Sequence, residues 1–100
     1  MRLTVNTDKR TLLRDDKQFF LLADTCWSAF TNISEEDWIF YLEKRKAQGF
    51  NTLQINILPQ WDRSKGALEY LPFEHKEGIF DFSNLSDTYF ERAKRMSEIA

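Results

Sequence analysis

Two short segments carry side chains that could hold a polar ligand: Asp24-Thr25-Cys26-Trp27, and Asn56 to Asp62 with Gln60 and Trp61 inside it. An aspartate accepts hydrogen bonds from hydroxyls. Asparagine and glutamine offer both donors and acceptors, and a tryptophan ring stacks on the flat face of a pyranose. That set suits a carbohydrate. Each residue also has a plainer use, since Asp24 could cap its own loop backbone and Trp27 and Trp61 could be core. Cys26 has no histidine beside it in sequence, so it reads as a small buried residue and not as a nucleophile. His75, the only histidine, lies between Glu74 and Lys76 in a long connection and reads as a solvated loop side chain with some reach towards a site. Glu35, Glu36 and Asp37 form a carboxylate cluster, but they fall in the first turn of a helix, where acids favour the positive dipole end. Glu69, Glu74, Glu77 and Asp81 have no position fixed by sequence, so no catalytic residue is assigned.

The elements that must position these residues follow from pattern. Leu3 to Asn6 and Thr11 to Arg14 are short β-compatible runs, and the polar Asp15-Asp16-Lys17 marks a turn, which predicts a small N-terminal hairpin over residues 1–18. Phe19 to Ala23 is apolar without alternation, as in a parallel-sheet strand covered on both faces. Ser34 can cap a helix whose first turn holds Glu35, Glu36 and Asp37, with Asp37 at the capping-box position. Trp38, Tyr41 and Leu42 give that helix an apolar stripe, Lys44, Arg45 and Lys46 suit its negative end, and Gly49 with Phe50 stops it. Thr52 to Leu58 then reads as a second strand parallel to the first, with Leu53, Ile55 and Ile57 on one face and Gln54 and Asn56 on the other.

Pro59 closes that strand, and a connection of about 26 residues follows, longer than ordinary loops and suited to function or to a lid. From Asn84, the residues Leu85, Tyr89, Phe90, Ala93 and Met96 recur at helical spacing, with Asn84 and Asp87 as a capping pair. This pattern reaches Ala100 without a stop signal, which predicts a fold continuing beyond the chain. In parallel α/β folds ligands bind at the carboxyl ends of strands, where Asp24 to Trp27 and Asn56 to Asp62 fall.

Composition narrows the field. The 100 residues are 42% hydrophobic and 30% charged with a formal net charge of −2. That is ordinary for a globular chain and supplies no concentrated basic face for nucleic acid. The longest apolar run, Phe19 to Ala23, falls well short of the roughly 20 residues that span a membrane. The N-terminus lacks the apolar stretch of a secretory signal, giving a cytoplasmic default. One cysteine and one histidine exclude a disulfide framework and the usual zinc cluster, and nothing points to a cofactor.

Three runs together are more specific: Phe19 to Trp27, then Tyr41 to Asn51, then Pro72-Phe73 with Phe80-Asp81-Phe82. They resemble, in order over about residues 10–100, the start of the apiosidase-like, cellulase-related glycoside hydrolase domain, through its D-T-x-W and R-x-x-x-G-F-N elements. The resemblance implies a (β/α)₈ barrel acting on plant or bacterial polysaccharides, endoglucanase-like, with a catalytic Asp and Glu on later strands. A barrel of about 250 residues would leave this chain about two of eight βα units. These are a first unit over 19–49, then the second strand, long loop and helix over 52–100. On that reading Asp24 and Trp27 line the sugar pocket, with Gln60 and Trp61 from the second-strand loop. Where many relatives have Asp-Gly-Lys in the early turn, this chain has Asp15-Asp16-Lys17. The competing expectation is a small, non-catalytic α/β carbohydrate-binding or interaction module.

Overall fold

The computed structural model describes residues 1–58 and 70–100. Gln60 and Trp61 lie outside those residues. Among the described residues, three small sheets and three helices make a mixed α/β fold. The N-terminal strands β1 (Leu3–Val5), β2 (Leu12–Arg14) and β3 (Lys17–Phe19) form an antiparallel meander. The sequence pattern predicts only a hairpin here. The difference arises because Asp15 and Asp16 both adopt positive φ, 50° and 64°. That is the two-residue turn whose twist suits paired strands, and it pairs Arg14 with Lys17. Asp15 stays useful there by accepting the Arg2 N–H at 2.9 Å.

The first parallel strand is β4 (Ala23–Thr25), shifted towards the C-terminus of the expected one. Phe20, Leu21 and Leu22 are not in a strand. Phe20 is 80% exposed, so the run is not covered on both faces as its apolarity suggested. Among the described residues only one strand, β5 (Thr52–Gln54), pairs with β4, in parallel register Ala23↔Thr52, Asp24↔Leu53 and Thr25↔Gln54. A two-stranded sheet has too little area to cover that run. The strand expected over Thr52 to Leu58 is thus three residues long, and Ile57 and Leu58 are exposed.

The short helix α1 (Ala29–Asn32) follows β4, and four residues are too few to show periodicity in sequence. The helix α2 (Glu35–Ala47) starts and stops where the sequence predicts. The Ser34 hydroxyl accepts the Asp37 N–H at 3.1 Å and donates to Asp37 Oδ2 at 2.8 Å, so one side chain makes both capping contacts. At the other end Phe50 N–H reaches Arg45 O and Gly49 N–H reaches Lys46 O, the paired bonds of a Schellman motif. Gly49 has φ +92°, a conformation that a side chain would strain.

The long connection, predicted as loop, holds a hairpin: β6 (Phe73–Lys76) and β7 (Ile79–Leu85), joined by Glu77 and Gly78, both with positive φ. The last helix, α3 (Asp87–Ile99), is capped by Ser86, whose hydroxyl accepts the Tyr89 N–H at 3.3 Å. Asn84, expected as that cap, instead donates to Asp81 at 2.7 Å.

The core is the packing of α1, α2 and α3 on β4 and β5. Trp38 is fully buried among Phe30, Tyr89, Ala93 and Met96, with Cys26, Leu53 and Ile55 packed against them. Arg92 of α3 donates to Phe30 O at 2.7 Å and to Ile33 O, satisfying carbonyls around the end of α1. Its guanidinium lies 3.8 Å from the Tyr70 ring centroid. Among the described residues no helix is long and apolar enough to cross a membrane.

Candidate functional site

Pairing of β4 with β5 continues past their formal ends. Cys26 N–H donates to Gln54 O at 3.0 Å, and Asn56 N–H donates to Trp27 O at 3.2 Å. A regular parallel ladder would use Cys26 O for the second bond, so one extra residue is accommodated where the chains leave the sheet. The effect is to bring Trp27 and Asn56 together at the carboxyl ends of adjacent strands. Trp27 is 50% exposed, while Trp38 is the tryptophan that fills the core. Half of a large ring facing solvent at a strand end is what a stacking contact needs.

Asp24 sits differently. It shares its register position with Leu53, and both stand on the face packed by the helices. Its Oδ2 accepts the Tyr41 hydroxyl at 2.6 Å. Arg45 Nε lies 2.6 Å from the same oxygen, but its N–H is not aimed there, so the contact is an ion pair without a hydrogen bond. Tyr41 and Arg45 are one turn apart on α2, and neither was singled out as an Asp24 partner from sequence. The available signal was the i, i+4 spacing beside Trp38 and the arginine of R-x-x-x-G-F-N.

That element has a physical reading at every position. The Arg45 guanidinium lies 5.4 Å from the Tyr41 ring centroid and 5.5 Å from that of Phe50, and Nη1 donates to Gln48 Oε1 at 2.8 Å. Gly49 makes the turn that brings Phe50 under the guanidinium. Asn51 then ties the next strand to the first. Its amide donates to Phe20 O at 2.7 Å, its Oδ1 accepts Leu22 N–H at 3.0 Å, and its own N–H meets Leu22 O at 3.0 Å.

The electrostatics follow from these contacts. The Tyr41 hydrogen bond holds the Asp24 carboxyl below the usual aspartate range, against some desolvation, with the Thr25 N–H and Arg45 helping. Burial, reinforced by Asp24, pushes Tyr41 up to about 12. Burial also raises the Cys26 thiol, which stays protonated at neutral pH and is no nucleophile there. Because folding lowers the Asp24 pKa, its stabilisation is full above the ordinary value of 3.8 and is lost as pH falls through the lower folded value. Asp8 and Asp81, held down by backbone and hydroxyl donors, act in the same direction. The stability gap between wild type and Asp24→Asn is therefore expected to be constant at neutral pH and to close below 3.8, as read by denaturant midpoints across pH.

Of the expected site residues, Trp27 and Asn56 come together, Asp24 faces the helices, and Gln60 and Trp61 lie outside the described residues. His75 is exposed on β6, its ring 4.6 Å from Phe80. Of the acids in the α2 first turn, Asp37 joins the cap and Glu35 pairs with Arg95 of α3 at 2.5 Å. An open groove of about 690 Å³ lies between α2, β5 and the end of α3. It is lined by Ile39, Leu42, Leu53 and Ile99, and Asp24, Trp27 and Asn56 are not among its lining residues. Among the described residues no three of His, Cys, Asp or Glu are grouped to hold a metal ion.

Comparison with curated proteins gives no match. The family description "Apiosidase-like, catalytic domain" matches residues 6–100, which takes in both the D-T-x-W strand end and the R-x-x-x-G-F-N helix end. The chain belongs to the apiosidase-like catalytic domain family, which places it at a coarse level among the glycoside hydrolases.

Proposed function

We propose that this chain supplies the first βα units of a single (β/α)₈ barrel that hydrolyses glycosidic bonds in a polysaccharide or oligosaccharide. Trp27 and Asn56 contact the sugar, with Gln60 and Trp61 as further contacts from the loop after β5. The observation that carries this reading is the half-exposed Trp27 bonded through its carbonyl to Asn56 at adjacent parallel strand ends, in a chain of this family. Exposed Phe20, Leu21, Leu22, Ile57 and Leu58 fit the same reading, because neighbouring barrel elements would cover them.

Hydrolysis of this class needs two carboxylates on either side of the scissile bond, one as acid/base and the other as nucleophile or as base towards water. Asp24 is tied to Tyr41 and Arg45 and fills neither role. The catalytic pair belongs to later strands of the barrel. No cofactor or metal is part of the scheme, and the substrate is the only partner it requires.

The test is incubation of the full-length gene product with a panel of plant and bacterial polysaccharides, following new reducing ends. Release from at least one substrate is the expected result. Binding without release would favour the non-catalytic carbohydrate-binding module, and neither binding nor release would overturn both readings.

A further inference from the structure

We infer that Tyr41 and Arg45 are positioning residues: with Asp24 they form a latch that sets how β4 delivers Trp27 to the sugar, and Asp24 does not itself touch the sugar. This rests on the proposed function for its kinetic consequence, while the latch itself stands on geometry.

Asp24 Oδ2 is shared by the Tyr41 hydroxyl and Arg45 Nε, each at 2.6 Å. Both partners come from α2, the helix anchored by fully buried Trp38, whose ring stacks on Tyr41 with centroids 5.7 Å apart. Arg45 is fixed in turn by the rings of Tyr41 and Phe50 and by Gln48. The strand end is thus tied through one carboxylate to the best-packed part of the molecule. Two residues on, Cys26 bonds Gln54, and three residues on, Trp27 bonds Asn56. A displaced Asp24 moves both contacts, because so short a stretch of extended chain has no slack to absorb it. Lysine cannot replace Arg45 in full, since an ammonium lacks the planar guanidinium that meets the Tyr41 and Phe50 rings and donates to Gln48.

The experiment compares Asp24→Asn, Tyr41→Phe, Arg45→Met and Arg45→Lys in the full-length enzyme on whichever polysaccharide it cleaves. The latch predicts that Tyr41→Phe and Arg45→Met raise KM by the same factor as Asp24→Asn, about three- to tenfold, with kcat within about twofold of wild type. The double variant Asp24→Asn/Arg45→Met is expected to be no worse than either single one, because all act on one device. Arg45→Lys falls between wild type and Arg45→Met.

If Asp24→Asn raises KM while Tyr41→Phe and Arg45→Met leave it unchanged, Asp24 is a direct sugar ligand and the inference is wrong. A wild-type KM in every variant with only a lowered melting temperature reduces the trio to a structural role and also overturns it. Hydrogen exchange at the Asn56 amide gives a readout that needs no substrate, and so separates failure of the latch from failure of the hydrolase reading. It is expected to quicken about tenfold in Tyr41→Phe and Arg45→Met relative to the amides of α2. Unchanged exchange would overturn the latch even in an active enzyme.

Discussion

Replacing Trp38 with alanine is expected to destabilise the protein by about 3–5 kcal/mol, the cost of deleting a fully buried aromatic side chain. Trp38 has no exposed surface. Its ring meets Phe30 edge-on at 5.9 Å and stacks on Tyr41 at 5.7 Å. Its indole N–H donates to Met96 O at 3.0 Å, linking α2 to α3 across 58 residues of sequence. Alanine leaves a cavity at the junction of the helices and strands the Met96 carbonyl. Trp38→Phe restores part of the volume but not the hydrogen bond, and is expected to cost less, leaving the unpaired carbonyl at about 1–3 kcal/mol. Urea unfolding of the three proteins side by side checks both numbers, and equal midpoints for wild type and Trp38→Ala would show that the core lies elsewhere.

The second large effect is expected at Asn51. Its side chain serves one acceptor and one donor of the segment leading into β4, with bonds of 2.7 and 3.0 Å. Both bonds are open to solvent, so water partly replaces them, and each contributes about 0.5–1.5 kcal/mol net. Asn51→Ala is expected to cost about 1–3 kcal/mol in total. Asn51→Asp is the sharper probe, since a carboxylate still accepts from Leu22 N–H but cannot donate to Phe20 O. Its loss at neutral pH is expected to lie between those of wild type and alanine. Denaturant midpoints read this order, and Asn51→Asp matching alanine would mean that the donor bond carries the clamp alone.

Local sequence chemistry made α2 legible at both ends. Ser34 before three acids, three bases in the last turns, and Gly49 before Phe50 each point to a boundary by a separate mechanism, and all agree. The parallel pairing of β4 and β5 followed from a helix set between two apolar runs. What was not legible depended on neighbours in space. The run Phe19 to Ala23 resembled a strand buried on both sides, but paired structure needs a partner, and β4 lies instead where Asn51 and β5 hold it. The hairpin β6–β7 was missed although Glu77-Gly78 is an acceptable two-residue turn, because Glu74, His75 and Lys76 gave no apolar run to mark a strand. Asp24 was visible as a residue with a purpose. Its purpose was not, since nothing in the chain order shows that its carboxylate meets Tyr41 and Arg45 instead of open space. Trp27 and Trp38 carry the same side chain, and only the fold sends one to solvent and the other to the core.

The sugar contact is tested most directly by titrating the full-length protein with an oligosaccharide cut from whichever polysaccharide it recognises, comparing wild type with Trp27→Ala by calorimetry. Stacking on a half-exposed ring predicts that Trp27→Ala binds about tenfold more weakly, a loss of about 1.4 kcal/mol, with no change in unfolding midpoint. Equal affinity in the two proteins would contradict a sugar site at the ends of β4 and β5.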